Sequence, residues 1–234
     1  MKILYVFPHP DDESFGPAPA IANQVRNGDE VYLLTLTKGE ATKQRFKLDL
    51  SKEEMGQIRY KEMQEVAKVL DLSDLTVLDF PDNQLKELDP IELEEAVEQH
   101  ILKVEPDVLV TYAVHGISGF HDHLVSHAVV KRVYCSMQRK SKRIPSRLAF
   151  FTLMDAPRED SLFDLSTSNE EEIDCILSTS DADMQKFNRA LDCYETYQEV
   201  IEKSNVRDEV TNEVSFEFFQ ENFSPPVDSL GAQL

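Results

Sequence analysis

Residues 1–16 of the chain, MKILYVFPHPDDESFG, join an apolar run directly to a polar turn. The run from Ile3 to Phe7 is rich in β-branched and aromatic side chains, which is typical of a strand buried on both faces of a parallel sheet. Pro8 ends the run, and residues 9–13 then supply a histidine, two aspartates and a glutamate. Because open α/β sheets bind ligands at the carboxyl ends of their strands, this turn is a candidate site.

Strands and helices alternate from this first strand to about residue 154. Apolar runs predict strands at 1–7, 31–37, 75–80, 107–112 and 147–154, and helical periodicity predicts helices at 15–27, 53–70, 90–104 and 123–137. This alternation favours an α/β, Rossmann-like fold whose mostly parallel sheet carries helices on both faces. With the strand order 3-2-1-4, the active site would lie at the carboxyl ends of strands 1 and 4.

The remainder of the chain is predicted to be an appendage of the same domain. We expect one domain over residues 1–234, with a core at 1–154 and a C-terminal appendage at 155–234. Within the appendage, the polar stretch 155–180 predicts only a short strand at 173–177, and 182–203 predicts a helix. The acidic and then Pro- and Ser-containing tail, 211–234, is expected to fray.

The composition disfavours several classes of partner and function. With 24 basic and 44 acidic residues, the formal net charge of −20 disfavours both nucleic acid and an anionic membrane surface as partners. We expect no membrane insertion and no signal peptide, because the apolar runs are only long enough for strands. The three cysteines show no CxxC spacing, so we expect a reducing, cytoplasmic location. A G-x-G-x-x-G fingerprint is absent after the first strand, so a nicotinamide cofactor is not expected.

A second polar cluster follows strand 4. Four of the six histidines lie between residues 115 and 127, namely His115, His121, His123 and His127. His123 and His127 are four residues apart, so they would share one face of a helix. Such a cluster is more typical of a metal or catalytic site than a single histidine would be.

The two clusters together could form a metal site, because strands 1 and 4 would be neighbours. A catalytic zinc takes three protein ligands and leaves one position open. His9, Asp12 and His123 can supply those ligands, and Asp11 then remains as a candidate base. An acidic turn that only favours the dipole of the next helix is the alternative interpretation of residues 11–13.

The first cluster, Phe7 to Gly16, closely resembles the first motif of the GlcNAc-phosphatidylinositol de-N-acetylase family, also called LmbE-like or PIG-L-like. Within that family it is most similar to the N-acetylglucosaminide deacetylases of bacillithiol synthesis. The resemblance covers about residues 2–130. It includes the segments 35–40, 58–62 and 115–123 and residue Asp82, with a weaker match over 186–198.

The resemblance implies a zinc-dependent hydrolase, with iron as an alternative metal, that removes the N-acetyl group of a small amino-sugar substrate. It implies that His9, Asp12 and His123 bind the metal and that Asp11 is the general base. It also makes Glu40, Arg59 and Asp82 candidate substrate contacts. The alternative for Arg59 is an ordinary helix pair with Glu62, and a homo-oligomer is compatible with the sequence.

One position departs from the family pattern. The family's second motif is Gly-His-Pro-Asp-His, whereas residues 119–123 read Gly-Phe-His-Asp-His, so Phe120 stands where the family has a histidine. We expect His121 to take over catalysis there, by stabilising the tetrahedral intermediate or protonating the amine, unless Asp11 acts alone. The competing hypotheses are a metal-dependent amidase acting on a non-sugar or thiol-conjugate substrate, and a metal-binding member with impaired catalysis.

Overall fold

The computed structural model describes residues 1–140, 144–154 and 164–234. Its strands are β1 (Lys2–Phe7), β2 (Glu30–Thr37), β3 (Asp74–Phe80), β4 (Val108–Tyr112), β5 (Arg147–Thr152), β6 (Cys175–Ser178) and β7 (Glu213–Phe218). Its α-helices are α1 (Ala18–Arg26), α2 (Gln44–Lys47), α3 (Lys52–Val69), α4 (Pro90–Val104), α5 (His121–Arg139), α6 (Asp181–Asp192), α7 (Gln198–Ser204) and α8 (Val206–Glu209).

The described strands form one sheet in the order β3-β2-β1-β4-β5-β7-β6, and β1 to β5 are parallel. The predicted fold class and the order 3-2-1-4 are therefore confirmed. The central strand β1 pairs with β2 on one side and β4 on the other, since Ile3 is opposite both Val31 and Val108. The carboxyl ends of β1 and β4 consequently meet at one edge of the sheet.

Helices cover both faces of the sheet, as the alternating side chains of β1 show. Tyr5 and Phe7 belong to a core shared with α1, α3 and α6, whereas Leu4 and Val6 belong to a core shared with α4 and α5. All four side chains are fully buried. A strand buried on both faces explains why the apolar run at 3–7 is continuous rather than alternating.

The expectation of a fraying tail is wrong. Strand β7 lies inside the sheet, antiparallel to both β5 and β6, and its side chains Val214, Phe216 and Phe218 are buried. The Asp174 carboxylate accepts hydrogen bonds from the amides of Phe218 and Phe223, at 2.7 and 2.9 Å, which fixes the end of the strand. The segment after residue 164 therefore completes the sheet.

Of the other two C-terminal predictions, the strand is present and the helix is divided. The predicted strand 173–177 corresponds to β6, whereas the predicted helix 182–203 forms two helices, α6 and α7. Gln198 stabilises the turn between the two helices, because its side-chain Nε2 donates hydrogen bonds to the carbonyls of Leu191 and Tyr194. Residues 155–163, where the predicted boundary between core and appendage falls, lie outside the described residues. No helix in the described ranges is both long enough and apolar enough to span a bilayer.

Candidate active site

The first polar cluster forms a tight turn between β1 and α1. Asp11 has a φ of 86°, and its carbonyl accepts hydrogen bonds from the amides of Ser14 and Phe15 at 2.8 and 2.9 Å. Gly16 closes the turn with a φ of 143°, and a Cβ atom there would lie 2.5 Å from the Phe151 ring. A positive φ at a non-glycine residue such as Asp11 is costly, and such strain is concentrated at functional sites.

Three side chains from the two clusters meet at this turn and could hold a metal ion. One ligand atom each from His9, Asp12 and His123 lies within 4.8 Å of the others. His123 Nε2 is 3.3 Å from Asp12 Oδ1, and His9 Nδ1 is 3.5 Å from Asp12 Oδ2. Two imidazoles and one carboxylate are a donor set that suits zinc and similar divalent ions.

The surroundings of His123 leave one of its ring nitrogens free for a metal. Its Nδ1 lies 2.9 Å from the carbonyl oxygen of Gly116, so Nδ1 carries the proton and donates it there. The ring also stacks on Tyr112, with the centroids 4.3 Å apart. A histidine held in this way presents its Nε2 toward Asp12, in the orientation that metal-binding histidines commonly have.

Two carboxylates orient His9 from its other side. Its Nε2 is 3.2 Å from Asp122 Oδ2 and 3.3 Å from Asp82 Oδ1. His9, Asp82 and Asp122 are themselves close enough to form an alternative metal group. However, Asp122 already accepts hydrogen bonds from the amides of Asn83 and Leu85, at 2.8 and 3.3 Å. We therefore infer that Asp82 and Asp122 position His9, whose Nδ1 faces Asp12.

Within the His9–Asp12–His123 group, the histidines and the aspartate shift one another's pKa values. Burial lowers the pKa of His9, but hydrogen bonds to Asp12, Asp122 and Asp82 raise it well above its usual value. Burial raises the pKa of Asp12, but His123 and His9 outweigh it and hold that pKa far below its usual range. The Asp12 carboxylate is therefore ionised, which is the form that binds a cation.

Asp11 lies beside the metal group but does not belong to it among the described residues. Its Oδ2 accepts a hydrogen bond from Arg59 Nη2 at 2.6 Å, and Arg59 is only 2% exposed. Burial raises the pKa of Asp11 to about 6, although the charge of Arg59 opposes this rise. A carboxylate with a pKa near neutrality can both accept and return a proton.

Tyr194 fixes the backbone of Asp11 from the break between α6 and α7. Its hydroxyl accepts a hydrogen bond from the Asp11 amide at 2.9 Å and donates one to Glu13 Oε1 at 2.6 Å. Glu13 is fully buried, and burial raises its pKa to about 7. Sequence reasoning did not single out Tyr194; the only signal for it was the weak family match over 186–198.

Glu40 and Asp82 join the loops that follow β2 and β3. Glu40 Oε1 accepts a hydrogen bond from the Asp82 amide at 2.9 Å, and Asp82 Oδ2 accepts one from the Ala41 amide at 2.7 Å. Asp82 and Arg59 also line the cavity over the metal group, whereas Glu40 is not among the described lining residues. Substrate contact by these three residues stays a prediction.

The structure does not bring His121 to the cavity. His121 is the first residue of α5 and is exposed, and the described cavity lining includes Phe120 but not His121. Phe120 packs the edge of its ring against His123, with the centroids 5.6 Å apart. The other two clustered histidines make internal contacts: His127 Nδ1 donates to the Tyr112 carbonyl, and His115 lies 3.2 Å from Ser168 Oγ.

A cavity of about 870 Å³ opens above this group of residues. His9, Asp11, Asp12 and His123 all line it, so the site lies at the carboxyl ends of β1 and β4, as predicted. This volume is in the range of pockets that take small molecules.

Comparison with known proteins gives the site a family. The family model described as PIG-L, GlcNAc-PI de-N-acetylase, matches residues 4–134, which contain both polar clusters. The chain belongs to the PIG-L family. The family resemblance predicted from the first motif is thereby confirmed. Tyr194 lies outside the PIG-L match.

Two relatives agree with the PIG-L assignment. The chain is 31% identical over 134 residues to a protein of Bacillus subtilis named probable N-acetyl-alpha-D-glucosaminyl L-malate deacetylase 2, covering 56% of this chain and 60% of that protein. It is 26% identical to the N-acetylglucosaminyl-phosphatidylinositol de-N-acetylase of Bos taurus, covering 82% of this chain and 73% of the relative. The match thus spans about three fifths of the length of the first of these relatives.

The fold is shared with the N,N'-diacetylchitobiose deacetylase of Pyrococcus horikoshii. The two structures align with a TM-score of 0.69 at 19% identity, over 93% of this chain and 83% of that one. At 93% of this chain, the similarity extends beyond the PIG-L match, which ends at residue 134.

Proposed function

We propose that this protein is a metal-dependent hydrolase that removes the N-acetyl group from an N-acetylglucosaminyl substrate. The observation that carries the proposal is the position of Asp11, a largely buried carboxylate beside a His-Asp-His group but outside it. The names of the two relatives, both de-N-acetylases of glucosaminyl compounds, support the substrate class. We propose zinc as the metal, with iron as the alternative, and a small-molecule amino sugar as the substrate.

The first half of the reaction needs a base beside a polarised amide. When bound by His9, Asp12 and His123, a divalent ion supplies Lewis-acid activation of the acetyl carbonyl and of water. Asp11 accepts a proton from the water as the water oxygen bonds to the carbonyl carbon. The hydrogen bonds from Arg59 and to Tyr194 hold Asp11 in the geometry for that transfer.

The second half of the reaction needs an acid. As the C–N bond breaks, Asp11 returns its proton to the leaving nitrogen, and the products are acetate and the free amine of the sugar. One carboxyl group can serve in both steps because its pKa is about 6. The exposed position of His121, outside the described lining of the cavity, favours this single-residue scheme over an acid at position 121.

Tyr194→Phe is expected to lower kcat by roughly 10-fold to 100-fold, by analogy with the loss of a residue that orients a metal ligand from outside the metal site. The variant removes the acceptor for the Asp11 amide and the donor to Glu13, while the metal group is untouched. Metal content per chain and KM should therefore stay close to those of the parent protein. Steady-state kinetics and elemental analysis on the same preparation check both expectations.

Tyr5→Phe is the matched control for Tyr194→Phe. Tyr5 is also fully buried, and its hydroxyl donates to Gln24 Oε1 at 3.0 Å, away from Asp11. Tyr5→Phe loses one hydrogen bond and Tyr194→Phe loses two, so the unfolding free energy should fall by on the order of 1 kcal/mol and 2 kcal/mol, respectively. Equal kcat values for the two variants would mean that Tyr194 stabilises the fold without positioning Asp11.

His121→Ala is expected to keep kcat close to that of the parent protein. The side chain is exposed at the start of α5, whereas losing a group that stabilises the oxyanion typically costs about 10²–10³ in kcat. Steady-state kinetics on an N-acetylglucosaminide show whether His121 is a bystander or stabilises the oxyanion. A fall of that size would restore the role that the shifted motif suggested for His121.

A panel of substrates tests the proposed function. We suggest N-acetylglucosaminyl malate, N-acetylglucosaminyl inositol, free N-acetylglucosamine and chitooligosaccharides, with the released amine as the readout and Asp11→Asn as the control. We expect metal-dependent release from at least one glucosaminide. A metal-loaded protein that releases no amine from any of them would favour the catalytically impaired alternative. The cytoplasmic location and a homo-oligomeric state stay predictions.

A further inference from the structure

The loop between β4 and α5 contains a strained turn. The Ser118 amide donates to the Gly116 carbonyl at 2.7 Å, which makes a three-residue γ-turn centred on Ile117. Ile117 has a φ of 57°, and a positive φ is an outlier for a β-branched residue. A γ-turn with a positive φ at its centre is the rare, strained form. Such a conformation persists only where the surrounding structure holds it in place.

The γ-turn carries the carbonyl that orients His123. The Gly116 oxygen accepts the Nδ1 proton of His123 at 2.9 Å as well as the bond that closes the turn. The two residues are in close contact, since a Cβ atom at Gly116 would lie 2.9 Å from the Cβ of His123. A change in the turn would therefore be transmitted to the His123 ring, whose Nε2 faces Asp12.

His115 holds the γ-turn from one side. The Ile117 amide donates to His115 Nδ1 at 3.0 Å. A backbone amide can only donate, so this Nδ1 is unprotonated and the ring proton is on Nε2. Burial lowers the pKa of His115, which favours the neutral ring. From the other side, the Ile117 carbonyl accepts a hydrogen bond from the Ser166 amide at 2.7 Å.

The C-terminal part of the sheet fixes the other ring nitrogen of His115. Its Nε2 lies 3.2 Å from Ser168 Oγ and 3.3 Å from Thr152 Oγ1. Ser168 donates its own hydroxyl proton to Glu217, so its oxygen can accept the Nε2 proton of His115. Ser168 and Thr152 are only 4% and 1% exposed. These buried groups therefore set the tautomer and the orientation of the His115 ring.

We propose that His115 is a positioning residue for the metal site. By accepting the Ile117 amide, it holds the γ-turn in the form that directs the Gly116 carbonyl at His123. His115 is not among the described residues that line the cavity, and it belongs to neither candidate metal group among them. The inference rests on the metal group of the proposed function and adds a residue that acts on it through the backbone.

His115→Ala tests the inference through metal affinity rather than turnover. The variant removes the acceptor of the Ile117 amide, so the turn can relax and move the Gly116 carbonyl away from His123. We expect the dissociation constant for zinc to rise by about 10-fold, the lower end of the range for losing an outer partner of a metal ligand. Competition with a chromogenic chelator, on the full chain, measures this constant.

His115→Asn should restore the zinc dissociation constant to near the parent value. Asparagine Oδ1 is bonded to Cγ, as histidine Nδ1 is, and asparagine side chains commonly accept from the amide two residues further on. The Ala and Asn variants lose the contacts of Nε2 equally, so the difference between them isolates the bond to Ile117. Equal zinc constants for these two variants would overturn the inference.

Ser168→Ala is the control for a loss of stability in this region. It removes one partner of His115 Nε2 but leaves Nδ1 available to Ile117, with Thr152 still in reach of Nε2. We expect a lower midpoint of thermal unfolding and a zinc dissociation constant close to that of the parent. A rise as large as that of His115→Ala would mean that the metal site responds to any loosening here, which would contradict a specific role for His115.

The failure of this inference is distinguishable from the failure of the proposed function. If the parent bound zinc but released no amine, weaker binding by His115→Ala and its rescue by His115→Asn would still support the positioning role. If His115→Ala bound zinc as tightly as an active parent, the positioning role would be overturned and the deacetylase would stand. A parent protein that bound no zinc would overturn both.

Discussion

Asp11→Asn should retain a full complement of metal and lose about 10²–10⁴-fold in kcat, the range for removing a general acid–base group. The asparagine amide has the same shape and can still accept the hydrogen bond from Arg59, but it cannot take a proton from water. Because Asp11 is proposed to act in both halves of the reaction, we expect the loss at the upper end of that range. Amine release and elemental analysis on one preparation give both numbers.

Asp12→Asn is the matched variant, since it makes the same chemical change at the adjacent residue. Asp12 bridges His9 and His123, with oxygens 3.5 and 3.3 Å from their ring nitrogens. We expect this variant to lose metal and, for that reason, activity. If Asp11→Asn lost as much metal as Asp12→Asn, the division of roles between the two aspartates would be wrong.

His123→Ala should abolish stable metal binding and reduce activity to background. The parent protein should hold about one divalent ion per chain through three protein ligands. Losing an outer partner of a metal ligand already lowers metal affinity by about 10–100-fold, so losing a ligand itself should cost more. The metal-to-protein ratio after dialysis measures this directly.

His127→Ala is the control for His123→Ala. His127 lies one turn further along α5, is equally buried at 6% exposed, and donates its Nδ1 proton to the Tyr112 carbonyl at 2.9 Å. It should keep its metal, because the ring belongs to neither candidate metal group. Full metal occupancy in His123→Ala after dialysis would show that the ligand assignment is wrong.

The sequence was sufficient for the fold class and for the meeting of the two polar clusters. Both depend on short-range patterns: apolar runs that predict buried strands, and polar turns directly after β1 and β4. Since adjacent parallel strands end at one edge, strand order alone brings His9 and Asp12 close to His123. Asp122 escaped notice, although it lies between two of the clustered histidines, because its role depends on the amides of Asn83 and Leu85.

The structure of the C-terminal part could not be predicted from local sequence patterns. Periodicity predicted one helix over 182–203, whereas helix α6 ends at Asp192. The turn that follows places the Tyr194 hydroxyl on the Asp11 amide, 183 residues away in sequence. Strand β7 was hidden for a similar reason. Its acidic residues suggested a solvated tail, but its buried positions pack into the sheet between β5 and β6. Such contacts depend on tertiary structure, which overrides local propensity.

The measurement that tests the account most directly is the stoichiometry of products from an N-acetylglucosaminide. Protein reconstituted with about one zinc ion per chain should release acetate and free amine in equal amounts. Removing the metal with a chelator should stop the release, and adding it back should restore it. If the metal-loaded protein, with its fold intact, released neither product from any glucosaminide of the panel, the proposed de-N-acetylase function would be contradicted.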